Sequence, residues 1–352
     1  VDLGPCTYGL LGRNGSGKTT LLRCITRVEK VNGGRIVYTD GDGREVKDYL
    51  DHIGYLPQNF DVFPELTAYE VLQFFANLKG YKITEEEITH LLEILNLSPQ
   101  RDMTVKTLSG GMKRRLGIAQ ALIGDPDVLL LDEPLGALDL KLRKDMQMEL
   151  KRIQQQVGIT FIYVTHDQEE ALTMSDTVVV MDKGRIQQIG TPEDIYNEPK
   201  NAFVADFIGE SNILNGTMVR DNVVKMYGKE FPCVDGGFAE NEPVDVVIRP
   251  EDIDIVPVEQ GQLTGTVTSV TFKGMQYDII VDFRGFKWLI QTTDHCPEGA
   301  RIGIKIDPDG IHVMKKSAYS GMFGDYSSFS EEYDELDDAT LSSDEEESGD
   351  EE

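Results

Sequence analysis

The feature that most constrains the fold is a glycine-rich segment at residues 12–20, GRNGSGKTT, which matches the pattern G-x-x-x-x-G-K-[ST]. It follows the apolar run TYGLL and precedes the helix-like run LLRCITRV, which is the strand–loop–helix context that this pattern requires. Its glycines let backbone N–H groups approach a phosphate closely, and the helix N-terminus adds a favourable dipole. A chance match has odds of roughly 1%. The segment therefore predicts a phosphate-binding loop in an α/β domain.

Two side chains of this loop have specific expected roles. Lys18 is expected to place its charge on the β- and γ-phosphates, and Thr19 its hydroxyl on Mg²⁺. The other loop residues expected to contact the bound nucleotide are Gly12, Asn14, Gly15, Ser16, Gly17 and Thr20.

A second motif is VLLLDEP, residues 128–134, an apolar strand that ends in two carboxylates. Ligands of α/β sheets bind at the carboxyl ends of the strands, so Asp132 is expected to hold Mg²⁺ directly or through water. Glu133 is expected to polarise an attacking water as general base. An apolar strand ending in two acids is also common for structural reasons, and its place after the phosphate loop favours the functional reading.

A third motif is LSGGM, residues 108–112, at the start of a predicted helix. Ser109, Gly110 and Gly111 would form an anion-binding helix N-terminus. Taken alone, Ser-Gly-Gly before a helix is an ordinary capping turn.

In this order the motifs resemble those of the ATP-binding-cassette (ABC) family. The resemblance implies that Gln58, in GYLPQN, senses Mg²⁺ and contacts membrane subunits, and that Asp139, in GALD, lies at a dimer interface. It likewise implies that His166, in YVTHDQEEA, contacts the γ-phosphate and acts with Glu133 in catalysis. The metal-binding set implied in this way is Thr19, Gln58 and Asp132, and the nucleotide-binding set gains Gln58, Ser109, Gly110, Gly111, Asp132 and Asp139.

The resemblance also implies a mechanism and partners. Two nucleotide domains, in a homodimer or a pair of related chains, would clamp each ATP between the loop of one and Ser109–Gly111 of the other. The expected further partners are transmembrane permease subunits and an extracellular solute-binding protein. The chain would then be a transport-coupled ATPase, a translocase, that is peripheral at the cytoplasmic face of the membrane and uses ATP and Mg²⁺.

The chain is expected to contain three regions. Residues 1–208 alternate strand-like and helical runs, as expected for a P-loop NTPase domain with a RecA-like core and a helical subdomain. Residues 209–316 carry short β-branched runs separated by turns, which predicts a small all-β barrel or sandwich. The family resemblance implies that this domain is OB-like and of the TOBE type. Residues 317–352 are acidic and are expected to be disordered.

Net charge bears on the class of partner. Of the formal −28, the last 28 residues contribute 14 acids and no Lys or Arg, so the remainder holds 62 − 14 = 48 acids against 34 bases. An acidic body argues against nucleic acid as a partner. Chromosome-maintenance ATPases share the ABC signature but carry long coiled coils, and no heptad run of that length occurs here. Four widely spaced cysteines are expected to be buried small residues.

The segments ILNGTMV, VDVVIRPEDIDI and LTGTVTSVTFKG resemble the accessory β-domain of many ABC importers. Residues 190–214 are similar to the link before that domain in spermidine/putrescine importers, which predicts polyamine import. Sugar, iron and other organic cations remain alternative solutes. The first ~125 residues, including LSGGMKRRLGIAQAL, are instead more similar to exporter-type ATPases, so export is the alternative. The β-domain itself could serve as a dimerisation or regulatory module without a ligand.

Only eleven residues precede Gly12, and family members usually stack adenine on an aromatic residue further upstream. We therefore expect this chain to lack that aromatic platform and the first strands, and to bind nucleotide more weakly than a longer version. Tyr8, within the strand that leads into the loop, is expected to pack in the core.

Overall fold

The computed structural model describes residues 4, 6–40, 42–60, 62–136 and 138–320, together with the backbone of 326–327. The chain divides into two compact units, Val1–Glu193 and Asp194–Glu352. The predicted domain boundary after residue 208 stays a prediction. Most of the predicted acidic tail, 317–352, lies outside the described residues.

The first unit contains a six-stranded sheet. Its strands are β1 (Thr7–Leu11), β2 (Ile53–Leu56), β3 (Val128–Asp132), β4 (Thr160–Thr165), β5 (Thr177–Asp182) and β6 (Arg185–Gly190). The spatial order is β2-β3-β4-β1-β5-β6, and every neighbouring pair is parallel except the antiparallel pair β5–β6. β1 therefore lies inside the sheet, where its carboxyl end adjoins those of β4 and β5.

Helices alternate with these strands. They are α1 (Lys18–Ile25), α2 (Ala68–Leu78), α3 (Glu85–Ile94), α4 (Gly110–Ala121), α5 (Leu140–Val157) and α6 (Gln168–Met174). Short 3₁₀ turns lie at Tyr49–His52, Ser98–Gln100 and Val105–Thr107. α2 and α3 each begin with a capping box, because the Thr-x-x-Glu sequences at Thr67 and Thr84 exchange side-chain and backbone hydrogen bonds. Local sequence thus sets where these helices start.

The sheet is buried on both faces, and β3 shows how. Leu129 and Leu131 belong to one core cluster, with residues of α2, α3 and α4, whereas Leu130 belongs to another with Tyr8 and Leu22. Successive strand residues point to opposite faces, so a continuous apolar run is what a doubly covered parallel sheet requires. The expectation that Tyr8 packs in the core is confirmed, since only 7% of it is exposed.

The second unit is mainly β. After α7 (Pro192–Asn197), which spans the division in the chain, and α8 (Ala202–Ile208), two antiparallel sheets follow. The strands of one sheet are β7 (Asn212–Arg220), β8 (Val223–Met226), β9 (Lys229–Pro232), β10 (Glu242–Ile248), β16 (His312–Lys315) and β17 (Tyr326–Ser327). Their spatial order is β16-β10-β7-β8-β9, and β17 also pairs with β7. The other has the order β11-β15-β12-β13-β14 and comprises β11 (Ile253–Val256), β12 (Leu263–Phe272), β13 (Tyr277–Phe283), β14 (Phe286–Thr292) and β15 (Arg301–Ile306).

Both sheets contribute to one apolar cluster, in which the single tryptophan, Trp288, is fully buried. The predicted fold class, a P-loop NTPase domain followed by a small β-domain, is confirmed. No helix in the described part of the chain is both long and apolar enough to cross a membrane.

The expectation for the cysteines is wrong in part. All four are free thiols, but only Cys233 is buried, while Cys6, Cys24 and Cys296 are partly exposed. Cys6 and Cys24 lie close to the ends of β1 and α1, where the local packing leaves part of each side chain uncovered.

Candidate nucleotide-binding site

The glycine-rich loop connects β1 to α1 in a conformation that depends on its glycines. Gly15 and Gly17 have φ of 79° and 99°, a region that side-chain-bearing residues rarely adopt. A Cβ at Gly12 would lie 2.4 Å from the carbonyl oxygen of Met181 on β5. The loop therefore needs these glycines both for its turns and for its close approach to the neighbouring strand.

Lys18 points back into the loop. Its Nζ donates hydrogen bonds to the carbonyl oxygens of Gly12 (2.6 Å) and Arg13 (3.0 Å), and only 5% of the residue is exposed. Burial lowers the pKa of Lys18, and the charges of Glu133 and Asp132 oppose that shift. Because both hydrogen-bond partners are neutral, the loop holds a desolvated cation that an anion would stabilise.

The residues of the loop fit a magnesium–nucleotide ligand. The hydroxyl of Ser16 is buried without a hydrogen-bond partner, and a Cβ at Gly15 would meet no atom within 4 Å. Together with the Lys18 ammonium and the N-terminus of α1, these groups form a donor-rich cradle of the kind that binds phosphate. Asn14 and Thr20 are exposed on the loop.

The oxygen donors suited to Mg²⁺ are next to this cradle. The hydroxyl of Thr19 donates to Oδ1 of Asp132 over 3.0 Å, and Asp132 is 2% exposed at the end of β3. Burial raises the pKa of Asp132, while the hydrogen bond from Thr19 lowers it. A hydroxyl and a carboxylate in contact are hard oxygen ligands, which Mg²⁺ prefers.

Three further predicted residues meet beside Asp132. Nε2 of Gln58 donates to Oε2 of Glu133 over 2.9 Å, and Nδ1 of His166 lies 3.6 Å from Oε1 of the same carboxylate. Glu133 has φ of 46°, in the left-handed region, directly after β3 ends. The turn at Glu133 thus aims its carboxylate between the segments that follow β2 and β4.

The remaining predicted residues lie at the starts of two helices. The hydroxyl of Ser109 accepts a hydrogen bond from the backbone N–H of Met112 at the start of α4 (3.3 Å), and Asp139 accepts from Leu142 at the start of α5 (2.9 Å). These side chains cap their own helices, and Gly111 packs against Leu142, since a Cβ there would lie 2.9 Å from its Cδ1. Ser109 and Gly110 are exposed.

Sequence reasoning missed a partly buried ionic group beside His166. Arg143 of α5 donates to Oδ2 of Asp167 over 3.1 Å and lies 3.7 Å from Oε1 of Glu170. The Glu170 carboxylate also accepts a hydrogen bond from Thr165 over 2.5 Å, and burial raises its pKa. These contacts hold the segment that carries His166. The sequence DQEE does not show which of its acids is buried.

Sequence reasoning also missed Arg114. Its guanidinium donates hydrogen bonds to the main-chain oxygens of both Gln58 and Glu133. The run MKRR contains three consecutive basic residues, and nothing in the sequence distinguishes the one that faces the site.

The fold and site are those of a nucleotide-binding cassette, and comparison with known proteins agrees. The family model described as ABC transporter matches residues 6–136, and the TOBE domain model matches residues 246–314. Several curated relatives carry the name spermidine/putrescine import ATP-binding protein PotA. The one from Desulfitobacterium hafniense is 51% identical over 309 residues, covering 87% of this chain and 89% of its own. The one from Clostridium acetobutylicum is 52% identical over 308 residues, covering 87% and 88%.

The chain therefore belongs to the ABC transporter family of ATP-binding proteins, and that prediction is confirmed. A solved structure of cbiO1 from Clostridium perfringens, described as part of the ABC transporter complex cbiONQ, gives a TM-score of 0.49. Its sequence identity to this chain is 29%, over 55% of this chain and 80% of that one.

Proposed function

We propose that this chain is the ATP-hydrolysing subunit of an ABC importer for spermidine and putrescine. The observation that carries the proposal is the identity of about half of all aligned residues to import ATP-binding proteins named for these polyamines, over 87% of the chain. The alignment to the Desulfitobacterium hafniense relative spans 309 residues, so about 352 − 309 = 43 residues of this chain lie outside it. That number is smaller than the ~125 N-terminal residues that resemble exporter ATPases. Most of the exporter-like part therefore aligns with an import protein, which favours import.

In the proposed mechanism, Lys18 and the backbone of the loop bind the β- and γ-phosphates of ATP. Thr19, Asp132 and Gln58 would hold Mg²⁺, which when bound neutralises phosphate charge as the γ-phosphoryl group is displaced. Glu133 accepts a proton from the attacking water, and its bond to Gln58 fixes the orientation of its carboxylate.

His166 acts from the opposite side of the same carboxylate. Its imidazole lies 3.6 Å from Glu133 and would donate to the γ-phosphate, orienting it for in-line attack. The ionic group of Arg143, Asp167 and Glu170 keeps this segment in place.

A second copy completes the site. Ser109 and Gly110 are exposed at the N-terminus of α4, whose own hydrogen bonds leave them open to a phosphate presented by another chain. Asp139, which caps α5 beside them, would lie at the same interface. ATP then links two chains, and hydrolysis removes the link.

Mixed dimers test this arrangement. In a Glu133→Gln background, Lys18→Ala and Ser109→Arg chains should each fail to retain ATP through gel filtration. An equal mixture should retain roughly a quarter of the parent amount, because half of the dimers are mixed and each of these holds one complete site. A mixture that retains no ATP would contradict a site shared between chains.

The proposal extends to membrane and extracellular partners. Phe63 is 60% exposed and meets Phe74 edge-to-face at 5.5 Å, and Leu78 on the same helix as Phe74 is 66% exposed. Uncovered aromatic and aliphatic side chains close to Gln58 in sequence support a docking surface for a permease segment. The chain would then be peripheral at the cytoplasmic face, with the nucleotide-binding domain in residues 1–208 and the β-domain in 209–316.

Reconstitution tests the transported solute and direction. Proteoliposomes would carry this chain with its permease subunits, ATP on the side of the chain, and labelled spermidine with the solute-binding protein on the other. ATP should drive spermidine toward the ATP side, and labelled maltose should not move. In a second arrangement, labelled spermidine on the ATP side that moves to the other side would support export instead. No movement of spermidine in either arrangement would contradict the proposed solute.

A further inference from the structure

Among the described residues, the hydrogen bonds of Arg114, near the site, all go to main-chain oxygens. Arg114, on the second turn of α4, directs its whole guanidinium at the ends of two different chain segments. Its hydrogen bonds run from Nε to Pro134 O (2.8 Å), from Nη1 to Pro57 O (3.4 Å) and Gln58 O (3.1 Å), and from Nη2 to Asp132 O (3.0 Å) and Glu133 O (2.7 Å).

The geometry of these contacts is restrictive. A guanidinium is planar and its N–H groups have fixed directions, so five accepting oxygens fix the relative positions of the peptides that carry them. Those peptides belong to the segment after β2, which holds Gln58, and to the end of β3 and the residues that follow it, Asp132 to Pro134. The bond between the Gln58 and Glu133 side chains is therefore backed by a second, main-chain connection through Arg114.

The charge of Arg114 is retained at neutral pH. Burial lowers its pKa to about 10, and the nearby carboxylates of Asp132 and Glu133 oppose that shift. A charged donor makes stronger hydrogen bonds to carbonyl oxygens than a neutral one. A neutral side chain of similar size would hold the two segments less firmly.

We propose that Arg114 is a positioning residue for ATP hydrolysis, which holds the main chain at Gln58 and Glu133 so that the carboxylate faces the attacking water. This inference rests on the ATPase function proposed above. Arg114 lies on α4, whose exposed N-terminus at Ser109 and Gly110 is the surface proposed to face a second copy. Arg114 therefore also connects that surface to the segment that carries Glu133.

The adjacent residue offers a matched control. Arg115 has the same charge on the same helix, but its Nη1 contacts the carbonyl oxygens of Leu95 and Asn96, both at 3.4 Å, at the end of α3. Replacing Arg115 removes a cation and two hydrogen bonds without touching the segments at Gln58 and Glu133.

The test compares Arg114→Gln, Arg114→Lys and Arg115→Gln with the unmodified chain in steady-state ATP hydrolysis and in equilibrium binding of a fluorescent ATP analogue. We expect Arg114→Gln to lower kcat by about 10- to 100-fold, since a misplaced base costs rate rather than binding. Nucleotide affinity should stay within about threefold, because Arg114 makes no contact with the phosphate loop. Arg114→Lys keeps the charge but not the planar set of five N–H donors, and should lose about three- to tenfold in kcat.

Arg115→Gln should keep kcat within about twofold of the unmodified chain. The proposal is overturned if Arg114→Gln also keeps that rate, or if Arg115→Gln loses as much as Arg114→Gln. If Arg114→Gln does not bind nucleotide, Arg114→Lys decides, and an unchanged kcat in that variant overturns the proposal. Failure of the ATPase function itself is recognised separately, as an unmodified chain that hydrolyses no ATP above the buffer background.

Discussion

Gln58 donates a hydrogen bond from Nε2 to Oε2 of Glu133 over 2.9 Å, although 75 positions separate the two residues in the chain. The contact follows from the register of two parallel strands, in which Leu56 of β2 lies beside Leu131 of β3. Both strands end at the same edge of the sheet, so the segments that follow them meet there. The residue proposed to sense Mg²⁺ and the proposed base are thereby joined by a direct hydrogen bond.

Glu133→Gln tests the base. Hydrolysis should slow by about 10²- to 10⁴-fold, since an amide cannot accept the proton of the attacking water. ATP binding should change little, because Lys18 and the loop are untouched, and closed dimers should accumulate. Phosphate release and equilibrium nucleotide binding measure the two effects. Glu169→Gln is the control, because Glu169 is 65% exposed and only distantly paired with Lys144 at 4.0 Å. Equal rates for Glu133→Gln and the unmodified chain would exclude Glu133 as the base.

Gly12→Ala tests the close approach between the loop and β5. The added methyl group would lie 2.4 Å from the backbone oxygen of Met181 and 2.6 Å from Oγ of Ser16, and the strand cannot readily move. We expect the free energy of unfolding of the first unit to fall by about 1–3 kcal/mol, as for an overpacked core, and ATP affinity to fall with it.

Urea unfolding followed by far-UV circular dichroism measures this loss. Gly33→Ala is the control, because a Cβ at Gly33 would meet no atom within 4 Å. It should change stability by no more than about 0.5 kcal/mol. A Gly12→Ala protein as stable as Gly33→Ala would show that the loop relaxes away from β5.

Asp127 is predicted to make stability depend on pH. The hydroxyl of Tyr38 donates to Oδ2 of Asp127 over 2.5 Å, and Nδ1 of His52 lies 2.6 Å from the same oxygen. The hydrogen bond from Tyr38 is the largest cause that lowers the pKa of Asp127, and His52 adds to it. Because the folded pKa is depressed, the contribution is present above the unfolded value of about 3.9 and is lost as pH falls through the folded pKa.

Asp127→Asn should therefore be less stable than the unmodified chain at pH 7, and the difference should narrow as the pH falls below about 4. Asp127 is 57% exposed, so solvent screening limits the difference to less than about 1 kcal/mol. Urea unfolding by circular dichroism at a series of pH values measures it. A difference that stays constant from pH 7 to the acid limit of folding would rule out this linkage.

Arg249 is predicted to stabilise the second unit. Its guanidinium stacks on the ring of Tyr196, with 4.3 Å from Cζ to the ring centroid. It also donates to main-chain oxygens, from Nη2 to Tyr196 (2.8 Å) and from Nη1 to Ala205 (3.0 Å), Gly209 (3.1 Å) and Glu210 (3.2 Å). Arg249→Met should lower stability by about 2–4 kcal/mol, because several carbonyls lose their donor.

The fluorescence of Trp288 reports this unit alone, since it is the single tryptophan and is fully buried there. Arg301→Met, at an exposed position of β15, serves as the control and should change stability by no more than about 0.5 kcal/mol. Equal unfolding midpoints for the two variants would show that the network around Arg249 contributes little.

Much of the first unit could be predicted from local pattern. The apolar runs at 8–11, 128–131 and 161–164 are strands, and the helix-like patterns at 67–78 and 85–95 match α2 and α3 to within one residue at each end. Local pattern does not identify β2 and β6, because IGYL and RIQQIG are short and carry weak periodicity. Whether a short run becomes a strand depends on the neighbour with which it pairs, as β2 does with β3.

The sequence by itself determined the phosphate loop, the carboxylate-bearing strand and the starts of α2 to α5, because glycine conformations, apolar periodicity and helix caps act over a few residues. Only the tertiary structure decided which distant groups meet. Arg114 and Arg115 are chemically identical neighbours, yet the 3.6-residue helical turn directs one to the ends of β2 and β3 and the other to the end of α3. That choice depends on how α4 packs, and packing is set by the whole core rather than by any local motif.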